Sequence, residues 1–191
     1  MQKEKYYIVF AGVNGAGKST FFHSRDWMCK PFPHDMYRVN SDEILQGFGG
    51  DPTNGTDQFR AMKAAVQLIH TYFEEGKSFN QETTLAGQKS LKDIKLAKDM
   101  GYTVIMFYLG VNDYATAYRR VEHRSSIGGH PVSLEVVQRR YTASLNHLKE
   151  AIALCDTVYL VDNSIKFKLV RIYQKGNLDI DVSYSDTLWL P

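Results

Sequence analysis

The stretch that most constrains this chain is "VFAGVNGAGKST", residues 9–20. An apolar and aromatic run over residues 5–11 stops at Gly12, and small residues then lead to Lys18. Such a run is typical of a buried strand, and a helix is expected to begin near Lys18. Residues 12–19 match the pattern G-x-x-x-x-G-K-[ST] without deviation. The sequence therefore predicts a strand, a glycine-rich loop and a helix in succession.

This glycine-rich loop is expected to bind the phosphates of a nucleotide. Its glycines allow unusual backbone angles and let N–H groups approach a ligand at the positive end of the helix. Lys18 is expected to reach the β- and γ-phosphates, and the Ser19 hydroxyl to bind Mg²⁺. The residues predicted to contact ATP are Gly12, Asn14, Gly15, Ala16, Gly17, Lys18, Ser19 and Thr20. The alternative is a glycine-rich turn whose lysine is merely solvated.

Segments typical of strands and helices alternate about five times along the chain. Continuous apolar runs such as "YTVIMFYLG" favour parallel strands buried on both faces. We therefore expect an α/β fold of the P-loop NTPase and kinase type, with a mostly parallel five-stranded sheet flanked by helices. Two alternating runs joined at Gly176-Asn177 predict a C-terminal β-hairpin. The expected division is a P-loop kinase domain over 1–165, with a lid at about 113–145, and a hairpin extension of the same domain over 166–191.

Composition limits the expected binding partners and the expected cellular compartment. The net charge of +2, from 23 basic and 21 acidic residues, gives no general attraction to nucleic acid or to a membrane surface. Cys29 and Cys155 have no partner at metal or redox spacing, which favours reduced thiols in a cytoplasmic protein. No signal peptide and no run of about 18 apolar residues is evident, so neither secretion nor a membrane span is expected.

Two acidic side chains follow predicted strands. Asp42 comes directly after the strand-like "YRVN", where ligands bind in open α/β sheets, and is the first candidate for a general base. One alternative is that Asp42 or Ser41 caps a helix. Another is that Glu43 is the general base. In "FNQETTL" the strand turns polar at Glu82, with a hydroxyl at Thr84, and these two residues are candidates for acceptor binding. A solvent-facing Glu82 is the alternative.

Arginines are concentrated in two helix-like segments on either side of the break "SSIGGHPVS", which is suited to a mobile lid. Arginine binds phosphate well because its guanidinium group is always charged and can donate two parallel hydrogen bonds to one phosphate. Arg120 and Arg124 lie four residues apart on one helix face and are the first candidates for the γ-phosphate. Arg139 and Arg140 are the next candidates. The alternative is a solvated basic face.

Taken in order, "GVNGAGKST", "NSDEI", "NQETTL" and the arginine-rich lid resemble the zeta toxin family of P-loop kinases, over about residues 5–165. The resemblance implies a phosphotransferase that uses ATP and Mg²⁺. Zeta toxins phosphorylate UDP-N-acetylglucosamine, and they often pair with a small antitoxin protein. By position, the resemblance implies a base at Asp42 and a substrate site at Glu82 and Thr84. The chain departs from the family where the base is usually followed by Phe-Arg, because here Asp42 is followed by Glu-Ile-Leu.

Three functions remain open on the sequence. The first is a small-molecule kinase that phosphorylates a hydroxyl of a nucleotide sugar or a similar acceptor. The second is a polynucleotide 5′-hydroxyl kinase, which would want a basic, aromatic groove. The third is an ATP-dependent switch, which would need a group that positions water but no base aimed at an acceptor pocket.

Overall fold

The computed structural model describes residues 4–25, 27 and 36–191. Within these residues the chain alternates between strands and helices and ends in two consecutive strands. The elements are β1 Tyr6–Ala11, α1 Lys18–Ser24, β2 Tyr37–Val39, α2 Ser41–Gly47, α3 Gly55–Glu74, β3 Phe79–Thr83, α4 Gln88–Asp99, β4 Thr103–Gly110, α5 Tyr114–Ser126, α6 Leu134–Leu154, β5 Thr157–Asp162, β6 Lys168–Gln174 and β7 Asn177–Asp181.

The strands form one sheet in the order β2-β3-β1-β4-β5-β6-β7. The first five are parallel, whereas β6 is antiparallel to β5 and β7 is antiparallel to β6. The predicted α/β fold with a mostly parallel sheet and a C-terminal hairpin is therefore confirmed. The hairpin turns at Lys175 and Gly176, one residue earlier than expected, because both have a positive φ, as a two-residue turn of type I′ requires.

Helices cover the sheet on both faces. Along β1, Tyr7 and Val9 belong to a core cluster that also holds Phe73 of α3, whereas Ile8 and Phe10 belong to a second cluster with Phe21 of α1. This alternation follows from the two-residue period of a strand. Full burial of a side chain of this size contributes about 1.5–3 kcal/mol, so both faces of the sheet hold the helices in place.

The parallel pairing brings several chain segments to one edge. Ala11 at the end of β1 pairs with Thr83 of β3, and Val39 at the end of β2 pairs with Gln81 of β3. The carboxyl ends of parallel strands lie at the same edge of a sheet, where open α/β folds bind ligands. The glycine-rich loop and the polar residues after β2 and β3 are therefore neighbours.

Local signals moved some element ends away from the expected positions. The sequence predicts a first helix that runs to about Trp27, but the helix ends at Ser24 because Arg25 adopts a left-handed conformation with φ 61°. The third helix begins at Gly55 because the side chain of Asn54 caps it.

The structure describes one of the two cysteines, Cys155. Cys155 is buried, as its apolar surroundings predict, and burial raises the pKa of its thiol. The prolines Pro31 and Pro33 predict that the first helix cannot continue past them, but these residues and Cys29 lie outside the described residues. Among the helices described, none is both long and apolar enough to cross a membrane.

Candidate functional site

The glycine-rich loop lies in close contact with two neighbouring segments. A Cβ atom on Gly15 would lie 2.1 Å from the carbonyl oxygen of Ala117 in α5. A Cβ atom on Gly17 would lie 2.4 Å from Nδ2 of Asn163, which follows β5. Both glycines have φ near +80 to +90°, which other residues rarely adopt (81° and 91°). The loop therefore requires glycine here for both space and backbone conformation.

Lys18 begins α1, and its side chain folds back over the loop. Its Nζ donates to the carbonyl oxygen of Val13 at 3.2 Å and lies 3.9 Å from Oε1 of Glu82. Burial lowers the pKa of Lys18, the Glu82 carboxylate acts in the opposite direction, and Arg124 lowers it further. A desolvated cation at this position is suited to bind an anion that enters the loop.

Glu82 accepts hydrogen bonds from three side chains at the sheet edge. Ser19 Oγ donates to its two carboxylate oxygens at 2.9 and 3.1 Å, Arg38 Nη2 donates at 2.9 Å and Asn40 Nδ2 at 3.0 Å. The residue predicted to bind Mg²⁺ and a residue predicted to bind the acceptor are thus in direct contact. The role of Glu82 stays a prediction, but its place is beside the serine hydroxyl.

This pair of oxygen donors fits Mg²⁺ as proteins usually hold it. Magnesium prefers oxygen ligands and commonly takes one or two from the protein, with the rest from phosphates and water. In the described part of the chain, no group of three or more His, Cys, Asp or Glu side chains could hold a metal by itself. A magnesium ion bound at Ser19 would therefore depend on the phosphates of the nucleotide.

Arg38 was not found by the sequence analysis. Its Nε donates to both carboxylate oxygens of Glu43, and Nη1 donates to Asn80 at 3.1 Å. The guanidinium also lies 3.6 Å from the centre of the Phe22 ring. With its bond to Glu82, every nitrogen of Arg38 is engaged. The only sequence signal was a charged residue inside the short strand β2.

Asp42 lies exposed in the first turn of α2. The helix is capped by Asn40, whose Oδ1 accepts from the Asp42 N–H at 2.9 Å, so neither Asp42 nor Ser41 is the cap. Burial lowers the pKa of Arg140, Arg139 lowers it further, and the Asp42 carboxylate acts in the opposite direction. The Asp42 carboxylate is thus within electrostatic reach of α6.

Arg120 and Arg124, the first candidates for the γ-phosphate, lie in different surroundings. Nε and Nη2 of Arg124 are buried without a hydrogen-bond partner among the described residues, and Arg124 acts electrostatically on Lys18. The two Nη atoms of Arg120 donate instead to the carbonyl oxygens of Asn163 and Ser164, at 2.8 and 2.9 Å. Arg124 therefore has free donors near the glycine-rich loop, whereas Arg120 joins α5 to the segment after β5. That both bind the γ-phosphate stays a prediction.

A pocket of about 420 Å³ lies between the segment after β3 and helix α6. It is lined by Thr84, Ala86, Gly87, Arg139, Arg140 and Ala143. Arg140 also donates from Nη1 to Oδ1 of Asn14 at 2.9 Å. The pocket that contains the predicted acceptor residue Thr84 is therefore connected to the loop by one arginine.

One more residue was missed at the other side of the loop. Asn163 Nδ2 donates to the carbonyl oxygen of Ala16 at 2.9 Å, so the segment after β5 supports the loop directly. Polar residues after a strand had already singled out Asp42 and Glu82, and the same rule applied to "VDNS" would have found Asn163. Thr20 is exposed in the first turn of α1 and has no described side-chain contact.

Solved structures share this fold at low sequence identity. A chain of the AvrRxo1-ORF1:AvrRxo1-ORF2 complex solved with ATP superposes with a TM-score of 0.69 at 14% identity, covering 94% of this chain and 61% of that chain. A chain of the PezAT toxin–antitoxin system of Streptococcus pneumoniae gives 0.60 at 16% identity, covering 87% and 71%. A chain of the Pnkp1/Rnl/Hen1 RNA repair complex gives 0.60 at 14% identity, covering 97% and 53%. The present chain thus spans less than two thirds of the first and the third of these.

Sequence comparison reaches one curated relative and a family model. An uncharacterized protein of Haemophilus influenzae is 29% identical over 136 residues, which are 70% of this chain and 91% of the relative. The family model, described as an AAA domain, matches residues 8–146 and so includes the glycine-rich loop, both acidic candidates and all the lid arginines. On this match, which extends over most of the chain, the protein belongs to that AAA domain family.

Proposed function

We propose that this protein is a P-loop kinase that transfers the γ-phosphate of ATP to a hydroxyl group of a small-molecule acceptor. The observation that carries the proposal is the position of Arg140, which hydrogen-bonds Asn14 in the glycine-rich loop and also lines the pocket at Thr84. A phosphate site that opens onto a pocket can deliver its phosphate to a bound molecule and not only to water.

The nucleotide would be held by the amides of the loop, by Mg²⁺ and by two cationic side chains. The amides of residues 12–20 and the Lys18 ammonium would bind the phosphates, and Ser19 would bind Mg²⁺ with Glu82 beside it. The ion supplies positive charge that offsets the charge on the phosphates. The free Nε and Nη2 of Arg124 are suited to the γ-phosphate, because a buried donor without a partner is costly until an acceptor arrives.

Asp42 is the proposed general base. Its carboxylate is exposed and is not used to cap α2, so it is available to orient an acceptor hydroxyl and to take its proton. Glu43, the competing candidate, is held by two hydrogen bonds from Arg38. Those bonds leave Glu43 less free to bind a substrate than Asp42.

The proposed acceptor is UDP-N-acetylglucosamine or a related nucleotide sugar. Support comes from the resemblance of "NQETTL" and its neighbours to the zeta toxin family, and from the shared fold with a chain of a toxin–antitoxin system. Sugars are recognised by hydrogen-bonding groups, and a site built for a hydroxyl strongly rejects analogues that lack it. Thr84 supplies such a group in the pocket.

The same resemblance supports a small antitoxin partner, and the cysteine spacing supports a cytoplasmic location. Two of the structural neighbours were solved as chains of two-protein systems, AvrRxo1-ORF1:AvrRxo1-ORF2 and PezAT. Co-expression with the product of the adjacent gene, followed by size-exclusion chromatography, tests for a stable complex. Separate elution of the two proteins and no loss of kinase activity would count against an antitoxin.

The acceptor is tested with γ-labelled ATP and Mg²⁺. The wild type and the Lys18→Ala variant are incubated with nucleotide sugars, a fractionated metabolite pool, and short DNA and RNA with 5′-hydroxyl ends. We expect label on a nucleotide sugar with the wild type alone. Label only on oligonucleotides would assign a polynucleotide kinase, and steady hydrolysis of ATP with no labelled acceptor would favour an ATP-dependent switch.

A further inference from the structure

The pocket that Thr84 lines also contains two adjacent arginines. Arg139 and Arg140 both line it, and they lower the free energy of any anion that enters. Neither forms an ion pair with an acidic side chain of the described residues. Burial lowers the pKa of Arg140, and repulsion from Arg139 lowers it further, whereas the Asp42 carboxylate acts in the opposite direction. Such a pair is stabilised when an anion binds between or beside its members.

The two arginines face different neighbours. Arg140 hydrogen-bonds Asn14 and acts electrostatically on Lys18. Its positive charge therefore acts on the glycine-rich loop as well as on the pocket. Arg139 is exposed and has no hydrogen bond to any described residue. It is also absent from the groups that shift the pKa of Lys18. Arg139 is therefore available to an anion in the pocket that it lines.

Small residues of the segment before α4 form another part of the pocket lining. Ala86 and Gly87 line the pocket directly before α4, and Gly87 caps this helix without any side-chain hydrogen bond. The preceding residue, Leu85, is fully buried and has φ 55°, and its carbonyl oxygen is hydrogen-bonded to His147 of α6 at 2.9 Å. The backbone on this side is thus held in a fixed shape close to the two guanidinium groups.

We propose that this pocket is a subsite for an anionic group, a phosphate or a carboxylate, that the acceptor itself carries, with Arg139 as its main ligand. The inference rests on the proposed kinase function, which supplies the acceptor. It adds that neutral sugars and alcohols are poor acceptors, because they gain no charge interaction with Arg139. The hydroxyl that reacts would then lie between this subsite and Asp42.

The test fills the glycine-rich loop first and then offers a small anion. The ¹⁵N-labelled protein is saturated with a non-hydrolysable ATP analogue and Mg²⁺, and methyl phosphate or acetate is titrated in at constant ionic strength. We expect saturable amide shifts at Ala86, Gly87 and Ala143. Arg139→Gln should weaken the binding of methyl phosphate by about tenfold or more, the usual effect of losing a hydrogen bond to a charged group.

The control removes one charge from the same helix outside the pocket. Lys149→Gln, at an exposed position of α6, should leave the affinity for methyl phosphate unchanged. Equal weakening by Lys149→Gln and Arg139→Gln, or no saturable shift at Ala86 and Gly87 with either anion, would overturn the subsite. The amide shifts of residues 12–20 on addition of the ATP analogue are measured before any anion is added. If the analogue does not shift them, the proposed function fails, whatever the anion does.

Discussion

Trp189, near the C-terminus, donates from Nε1 to Oδ1 of Asp162 at 2.8 Å. Asp162 ends β5, and its carboxylate also accepts from the backbone N–H and the hydroxyl of Ser164. Ser164 and Asn163 in turn accept from Arg120, and Asn163 donates to the loop residue Ala16. The C-terminal tail is therefore connected by hydrogen bonds to the nucleotide side of the proposed active site.

Trp189→Phe should weaken both folding and nucleotide binding. The variant keeps a buried ring but removes the donor to Asp162, which is almost fully buried, at a cost of about 1–3 kcal/mol. The freed carboxylate should also loosen the segment that supports Ala16. Urea unfolding and the affinity for an ATP analogue measure the two effects. Leu188→Ala, at an exposed neighbouring position, is the control, and equal effects of both substitutions would argue against the connection.

Lys18→Met should abolish transfer and yet stabilise the protein without nucleotide. Burial lowers the pKa of Lys18 below its ordinary value of 10.5, so the charged form is held at a cost to folding. Because the unfolded chain binds more protons between the two pKa values, wild-type stability rises with pH through that window. The advantage of Lys18→Met in Tm should therefore be largest near neutral pH and narrow towards pH 10.5. A variant that melts below the wild type at neutral pH would contradict this prediction.

Asp42→Asn should lower phosphoryl transfer by about 10²- to 10⁴-fold, the usual range for loss of a general base. The affinity for ATP and the stability should change little, because Asn40 and not Asp42 caps α2. Single-turnover transfer and thermal unfolding separate these effects. Glu43→Gln is the comparison, since it removes the carboxylate charge that pairs with Arg38 without removing the proposed base. Normal transfer by Asp42→Asn together with loss in Glu43→Gln would move the base to Glu43.

The two lid arginines should respond differently to lysine. Arg124→Lys should lower kcat by about 10- to 100-fold with little change in ATP affinity, because its free donors are suited to the γ-phosphate in the transition state. Arg120→Lys should mainly weaken ATP binding, since it breaks the two bonds that hold the segment after β5. Steady-state kinetics with the identified acceptor separate the effects. Identical profiles for the two variants would refute the division of roles.

Sequence reasoning succeeded where the cause is local or follows from the parallel sheet. The glycine pattern is local, and Asp42 and Glu82 were expected near the loop because strand ends meet at one edge of the sheet. Their roles stay predictions. Arg38 and Trp189 were missed because their partners lie far along the chain: Glu82 is 44 residues from Arg38, and Asp162 is 27 residues from Trp189. The contact of Asn163 with the loop also depends on the strand order, which the sequence did not specify. Helix ends moved by a few residues because a single residue such as Asn54 or Arg25 decides them.

Arg38 should act through Glu82 as a positioning residue. Its guanidinium connects β2 to β3, and its stacking on Phe22 limits the ways in which it can move. Lysine at this position keeps one charge but cannot bond Glu43, Asn80 and Glu82 together, so the Glu82 carboxylate loses its fixed orientation beside Ser19.

Arg38→Lys should therefore raise the Mg²⁺ concentration needed for half-maximal transfer by about 10- to 100-fold, the usual cost of losing a partner that orients a metal-site residue. The affinity for ATP measured without Mg²⁺ should stay close to the wild-type value, because the loop amides and Lys18 are unchanged. Arg171→Lys is the matched control, since Arg171 pairs with Asp181 in the hairpin, outside the site. A fall in Tm with an unchanged Mg²⁺ dependence would show that Arg38 only stabilises the fold, and an equal shift in Arg171→Lys would show that the effect is not specific to Glu82.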